Sequence, residues 1–118
     1  MPNMGKLPGH ERAIIPSEKL RYCLDPAHPT GSHKARVFSS ALGLEPSDAT
    51  VLERMLRDGI ASHEGHLRFT LIDGSERWVV EWTVLGRLGP IRLLSAWNVF
   101  GPVEAPRLVT SYLKQVRR

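Results

Sequence analysis

Residues 77–85, Arg77-Trp78-Val79-Val80-Glu81-Trp82-Thr83-Val84-Leu85, decide the fold. Their alternation puts Trp78, Val80, Trp82 and Val84 on one side and Arg77, Val79, Glu81 and Thr83 on the other. That is the two-residue period of a strand with one buried face. Asp73-Gly74-Ser75 lies just upstream, and Asp-Gly accepts the positive φ of a tight turn, so a strand over 67–72 folds back as a hairpin. Downstream, Gly86-Arg87-Leu88-Gly89-Pro90 turns the chain into a third strand over 91–100. Residues 101–106 make another turn, and a fourth strand runs over 107–113. Connections this short join antiparallel neighbours, so the four strands form a meander.

Ahead of the sheet the period changes to that of helices. Ser17 caps a short helix ending near Leu24, with Leu20, Cys23 and Leu24 on one face. Asp25-Pro26-Ala27-His28-Pro29 breaks it. A second helix starts at Ser32, a good N-cap residue. It carries Val37, Phe38, Ala41 and Leu42 as a core stripe and stops at Gly43. A third begins at Ser47 or Asp48, with Ala49, Leu52, Leu56 and Ile60 at helical spacing, and ends at Gly59 or in the region 62–65. The expected fold is α+β, with three N-terminal helices packed on a four-stranded antiparallel meander sheet. The 118 residues make one domain, with an irregular N-terminal arm over 1–16 and a basic tail over 114–118. Within the arm, Ala13-Ile14-Ile15 is a short edge strand or a clasp onto the core.

Composition narrows the classes. Charged residues at 24% and hydrophobic ones at 42% are those of a globular chain. No stretch approaches the roughly 20 apolar residues that span a bilayer. No apolar run follows Met1-Pro2-Asn3-Met4-Gly5-Lys6, so no signal peptide is expected and the location is read as cytoplasmic, with no membrane partner. One cysteine, Cys23, excludes an internal disulfide and a thiolate zinc site. His63 and His66 have H-x-x-H spacing without carboxylate or cysteine support, so no metal and no cofactor is expected. Sixteen Lys and Arg against twelve Asp and Glu give +4, which favours an anionic partner.

The chemistry gathers at Pro29-Thr30-Gly31-Ser32-His33-Lys34-Ala35-Arg36. A helix start favours anions, and two cations there cost about a few tenths of a kcal/mol unless something negative lies between them. A phosphate would meet the amides and cations together; the alternative is a solvated basic face. The uncovered sheet face carries Arg77, Glu81 and Thr83, with either Ser95 and Trp97 or Arg92 and Asn98 from the third strand. Strict alternation in the fourth strand puts Arg107, Val109 and Ser111 on one side and Leu108, Thr110 and Tyr112 on the other. Such a face beside His33 and Lys34 suits RNA cleavage by the RNA's own 2′-hydroxyl. That reaction needs a base, an acid and cations around the phosphate, and no metal. The structural alternatives are a surface His33, Glu81 as a cross-strand ion pair with Arg77 or Arg107, and Trp97 as core packing rather than a base-stacking platform.

Lys6-Leu7-Pro8, Glu11-Arg12-Ala13, residues 31–38, Ala41-Leu42-Gly43, Ser95-Ala96-Trp97 and Pro106-Arg107-Leu108-Val109-Thr110-Ser111-Tyr112 resemble a family of small uncharacterised bacterial domains. The resemblance covers nearly the whole chain; members of that family carry Asn where this chain has Gly9. Its order of helices and meander is similar to the barnase–EndoU–colicin–RelE group of metal-independent ribonucleases, often toxins. This likeness of fold implies an active site of His33, Lys34, Arg107 and Thr110, with Ser95 and Tyr112. It also implies a cognate antitoxin or immunity protein. The resulting expectation is a metal-independent endoribonuclease and toxin acting on tRNA or other cellular RNA. His33 is its acid or base, Lys34, Arg36 and Arg107 hold phosphate, Thr110 and Ser95 orient it, and Trp97 and Tyr112 contact substrate. The alternative is a non-enzymatic module that binds nucleic acid or protein, or serves as an antitoxin. A mostly apolar open face with His33 and Arg107 far apart would favour that module.

Overall fold

The alternation at residues 77–85 becomes the centre of a four-stranded sheet. The computed structural model describes residues 5–27, 32–101 and 103–115. Strands β1 (Gly65–Thr70), β2 (Glu76–Gly86), β3 (Gly89–Val99) and β4 (Arg107–Lys114) lie side by side in chain order, each antiparallel to the next. The β1–β2 turn is held by Asp73, whose Oδ1 accepts the Ser75 amide at 2.9 Å and the Ser75 hydroxyl at 2.6 Å. Gly74 takes the positive φ, +87°, that the turn needs. The β2–β3 turn is only Arg87-Leu88, tighter than the five-residue turn expected, and pairs Gly86 with Gly89.

Helices α1 (Ser17–Leu24), α2 (Ser32–Leu42) and α3 (Ala49–Ser62) precede the sheet and cover one of its faces. A short 3-10 turn, Pro46–Asp48, leads into α3. Leu20, Leu24, Phe38, Leu52, Leu56 and Ile60 from the helices meet Trp78, Val80, Trp82, Leu93, Trp97 and Leu108 from the sheet in one core. The architecture is therefore α+β, three helices on one face of an antiparallel meander.

Several local expectations change. Ser17 is the first helical residue rather than the cap, which is Pro16, and no side chain caps α1. The turn at 28–31 ahead of α2 lies outside the described residues, while Gly43, at φ +72°, ends α2 as expected. Gly59 does not end α3. It is buried within the helix, where the Trp82 indole occupies the space a Cβ would need. Lys114 is the last residue of β4, not part of a tail, and residues 116–118 lie outside the described set.

The arm does clasp the core. The Ile14 amide donates to Pro106 O at 2.8 Å and Ile14 O accepts the Leu108 amide at 3.0 Å, a parallel bridge along the free edge of β4. Ala13 and Ile15, on either side, are buried. Further along the same edge the Ser111 amide meets the Cys23 sulfur. The edge that invites pairing with another chain is thereby covered.

Strict alternation fails in β4. Ala96 pairs with Thr110, but Trp97 pairs with Leu108, so Val109 is an extra residue in a bulge. The bulge changes the parity: Arg107, Thr110 and Tyr112 share the face away from the helices, while Leu108, Ser111 and Leu113 face the core.

Candidate functional site

The register assembles the uncovered face in rows. Thr83, Arg92 and Lys114 form the first, Glu81, Leu94 and Tyr112 the second, Val79, Ala96 and Thr110 the third, and Arg77, Asn98 and Arg107 the fourth. The centre is apolar: Val79, Leu94 and Ala96 are buried there, with Val109 and Tyr112 packed against them. The charged groups stand around this centre.

The densest charge lies in the first two rows. Arg92 Nε donates to Glu81 Oε2 at 2.9 Å, and Lys114 Nζ lies 3.1 Å from Glu81 Oε1. Arg92 Nη1 also donates to Thr83 Oγ1 at 2.9 Å. Partial burial pushes the Glu81 carboxyl up. The hydrogen bonds and charges of Arg92 and Lys114 outweigh that and hold it below the usual carboxylate range. Beside Glu81's row, Lys34 reaches from α2 over the Tyr112 ring, 4.5 Å from its centroid. Two cations thus hold the Glu81 carboxylate, and a third, Lys34, stands over Tyr112 at the other end of the same row. At the far end, Arg77 Nε donates to Asn98 Oδ1 at 2.8 Å and its guanidinium lies over the Phe69 ring.

The residues singled out in the sequence divide in three. Lys34, Thr110, Tyr112 and Arg107 all serve the uncovered face. Arg107 lies in the row next to Thr110 but stands apart from the Glu81 cluster, because Asn98, its partner, is six residues from Arg92, about 20 Å along the strand. His33 is exposed at the opposite end from Arg107, beside Lys114 and Gln115. Arg36 is exposed, but two residues from Lys34 puts it on another side of α2.

Ser95 and Trp97 are corrections. Both are fully buried under the helices. The Ser95 hydroxyl donates to Val80 O and accepts the Trp97 indole N–H, each at 2.9 Å, so neither residue can touch a polymer on the surface. Their strand neighbours Arg92 and Asn98 face outward instead. Glu81 pairs with Arg92 and Lys114, not with Arg77 or Arg107. Of the two alternatives for the third strand, Arg92 and Asn98 are the pair that faces out, and Lys114, read as tail, is the site residue that was missed. The signal for Arg92 was present: a two-residue turn at Arg87-Leu88 fixes the register, which sets Arg92 opposite Thr83 and diagonal to Glu81.

Thr110 has a second neighbour. Its hydroxyl and the Ser111 amide meet the buried Cys23 thiol. Burial pushes that thiol up, and the hydrogen bonds and Lys34 only partly offset it. His63 stacks on Trp82, ring centroids 5.4 Å apart, and its Nδ1 lies 3.0 Å from Gly59 O. Among the described residues, no three His, Cys, Asp or Glu side chains gather where a metal ion would be held. Nor does any described helix have the length and apolarity to cross a membrane.

A groove of about 870 Å³ opens beside His33, between α2 and the β2–β3 turn. It adjoins the charged rows through Lys114, which lines it.

Fold and site together define a helix-backed antiparallel sheet with a charged, open outer face. The chain belongs to the family described as Domain of unknown function (DUF6883), whose profile matches residues 6–115. Comparison with curated proteins and with solved structures gives no match.

Proposed function

We propose that the protein is a metal-independent endoribonuclease that binds RNA across the outer face of the sheet. The observation that carries this reading is the Glu81 carboxylate held between Arg92 and Lys114, with Lys34 on Tyr112 beside it. A phosphodiester entering there draws the two cations to its own oxygens. Glu81 loses their stabilisation and becomes a better base. The 2′-hydroxyl gives its proton to Glu81 as its oxygen bonds to phosphorus. Arg92, Lys114 and Lys34 stabilise the charge on the crowded phosphate. The P–O5′ bond breaks, and the 5′-oxygen takes a proton from His33, beyond Lys114. The products are a 2′,3′-cyclic phosphate and a 5′-hydroxyl end. The toxin role extends the resemblance drawn from the sequence to the barnase–EndoU–colicin–RelE group. The net charge of +4 supports an acidic antitoxin or immunity protein as the partner that covers this face.

The test is incubation of purified protein with a labelled RNA in EDTA, with end-group analysis. The wild type cleaves and leaves cyclic phosphate; Glu81→Gln and His33→Ala each lower the rate about 10²-fold or more. Intact RNA at high enzyme concentration, with no partner present, overturns the reading.

The separation of His33 from Arg107 and the apolar centre of the face favour a second reading, a non-enzymatic binding module. Under it, RNA is retained but never cut, and binding survives both substitutions.

A further inference from the structure

We infer that the groove between α2 and the β2–β3 turn is a nucleoside subsite, which takes the base on the 3′ side of the scissile phosphate. This rests on the ribonuclease reading of the outer face. Apolar walls come from Val37, Leu88, Pro90 and Ile91, and polar groups from Ser40 and Gln115. That combination suits a flat, neutral ring with hydrogen-bonding edges. None of the groove's lining residues is acidic, and Lys114, which lines it, offers a cation to a nucleotide's phosphate. The volume, about 870 Å³, is within the usual range for small-molecule sites.

Position supplies the direction. Lys114 lines the groove while its ammonium touches Glu81 on the outer face, so a phosphate at Lys114 sits at the groove's mouth. His33 lines the same groove. The proposed acid protonates the departing 5′-oxygen, and the nucleoside bearing that oxygen must lie on the acid's side of the phosphate. The groove is the cavity found there. An otherwise unexplained feature also fits: Leu88, at the tip of the turn, is completely exposed and packs on nothing in the core. A base in the groove would give it a partner.

The four nucleoside 5′-monophosphates are the probes, because each places a phosphate on Lys114 and its own base in the groove. Inorganic phosphate is the control. Binding is followed by NMR titration of the full chain. At least one monophosphate should bind about tenfold more tightly than inorganic phosphate, a gain that burying one face of a base against these apolar walls supplies, and shift the His33 and Ser40 resonances. Ser40→Trp fills the groove from an exposed helix position and should return the affinity to that of inorganic phosphate. If that variant fails to fold, Leu88→Glu, at a fully exposed position, makes the same test. Monophosphates that bind no better than inorganic phosphate, or binding untouched by these variants, overturn the inference. The two readings fail separately. RNA cut by a protein whose groove ignores the base refutes the subsite alone, whereas monophosphates in the groove of a protein that never cuts RNA refute the nuclease alone.

Discussion

Replacing Gly59 by Ala tests the contact that sets the distance between α3 and the sheet. An added Cβ would meet three carbons of the Trp82 indole, with the helix backbone on one side and a buried ring on the other. Overpacking a core costs about 1–3 kcal/mol, and two rigid neighbours place this case near 3. Alanine recovers about 1 kcal/mol of helix propensity over glycine. The net loss is about 2 kcal/mol, which at ~4 °C per kcal/mol for a domain of this size lowers Tm by about 8 °C. Thermal and urea unfolding measure it. Asp58→Ala, one residue earlier and exposed, should stay within about 0.5 kcal/mol. A second background isolates the cause: with Trp82→Leu the ring is gone, and Gly59→Ala should then be neutral or stabilise by up to about 1 kcal/mol. An unchanged or raised Tm in the single variant, or an equal loss in both backgrounds, refutes the reasoning.

Other outcomes follow from the charges and the thiol. The Glu81 carboxyl is held below its ordinary value, so its contribution to stability is complete above the usual carboxylate pKa, about 4.3, and fades as pH falls through the lower folded value. Acid unfolding of Glu81→Gln should therefore start from a lower stability at pH 7 and show a shallower loss below pH ~4. Under the proposed ribonuclease reading, Arg107→Ala should weaken RNA binding evenly across sequences and reduce its salt dependence by about one ion, with the cleavage rate of bound RNA unchanged. A large fall in single-turnover rate would put Arg107 at the reacting phosphate after all. Cys23, buried and with its thiol pushed up, should react with a thiol reagent many times more slowly in the native protein than in urea. Equal rates would mean that α1 lifts from the edge of β4 readily.

The sequence made the sheet legible because one strand, residues 77–85, alternates without interruption, and Asp-Gly and Gly-rich turns mark its neighbours. The helices followed from apolar spacing. What stayed hidden depends on pairs rather than on single strands. Alternation alone leaves the side of β3 open, and Ser95 reads as a polar surface residue until it is seen bonded to Trp97 and Val80 inside the core. The bulge at Val109 inserts one residue without any glycine to announce it, and it alone brings Arg107 to the same face as Tyr112. Lys114 looked like tail because it opens the run Lys-Gln-Val-Arg-Arg, yet its pairing with Arg92 keeps it in the strand. Gly59 looked like a stop, since only the facing indole gives a reason for glycine within a helix.

The placing of Ile14 against Arg107 has a consequence for how the chain is made. Its three helices have 8, 11 and 14 residues, lengths at which helices in water are marginal on their own. Their apolar faces meet one another as well as the sheet, with α1 packed on both α2 and α3, and the bridge at Ile14 joins the N-terminal arm to β4. A chain that has reached the end of β3 still lacks the strand carrying Lys114 and Tyr112, and its N-terminal arm can bond Arg57 and Gly65, through Ala13 and Gly5, but has no β4 edge to clasp. The same strand, β4, thus completes both the charged face and the seat of the Ile14 clasp.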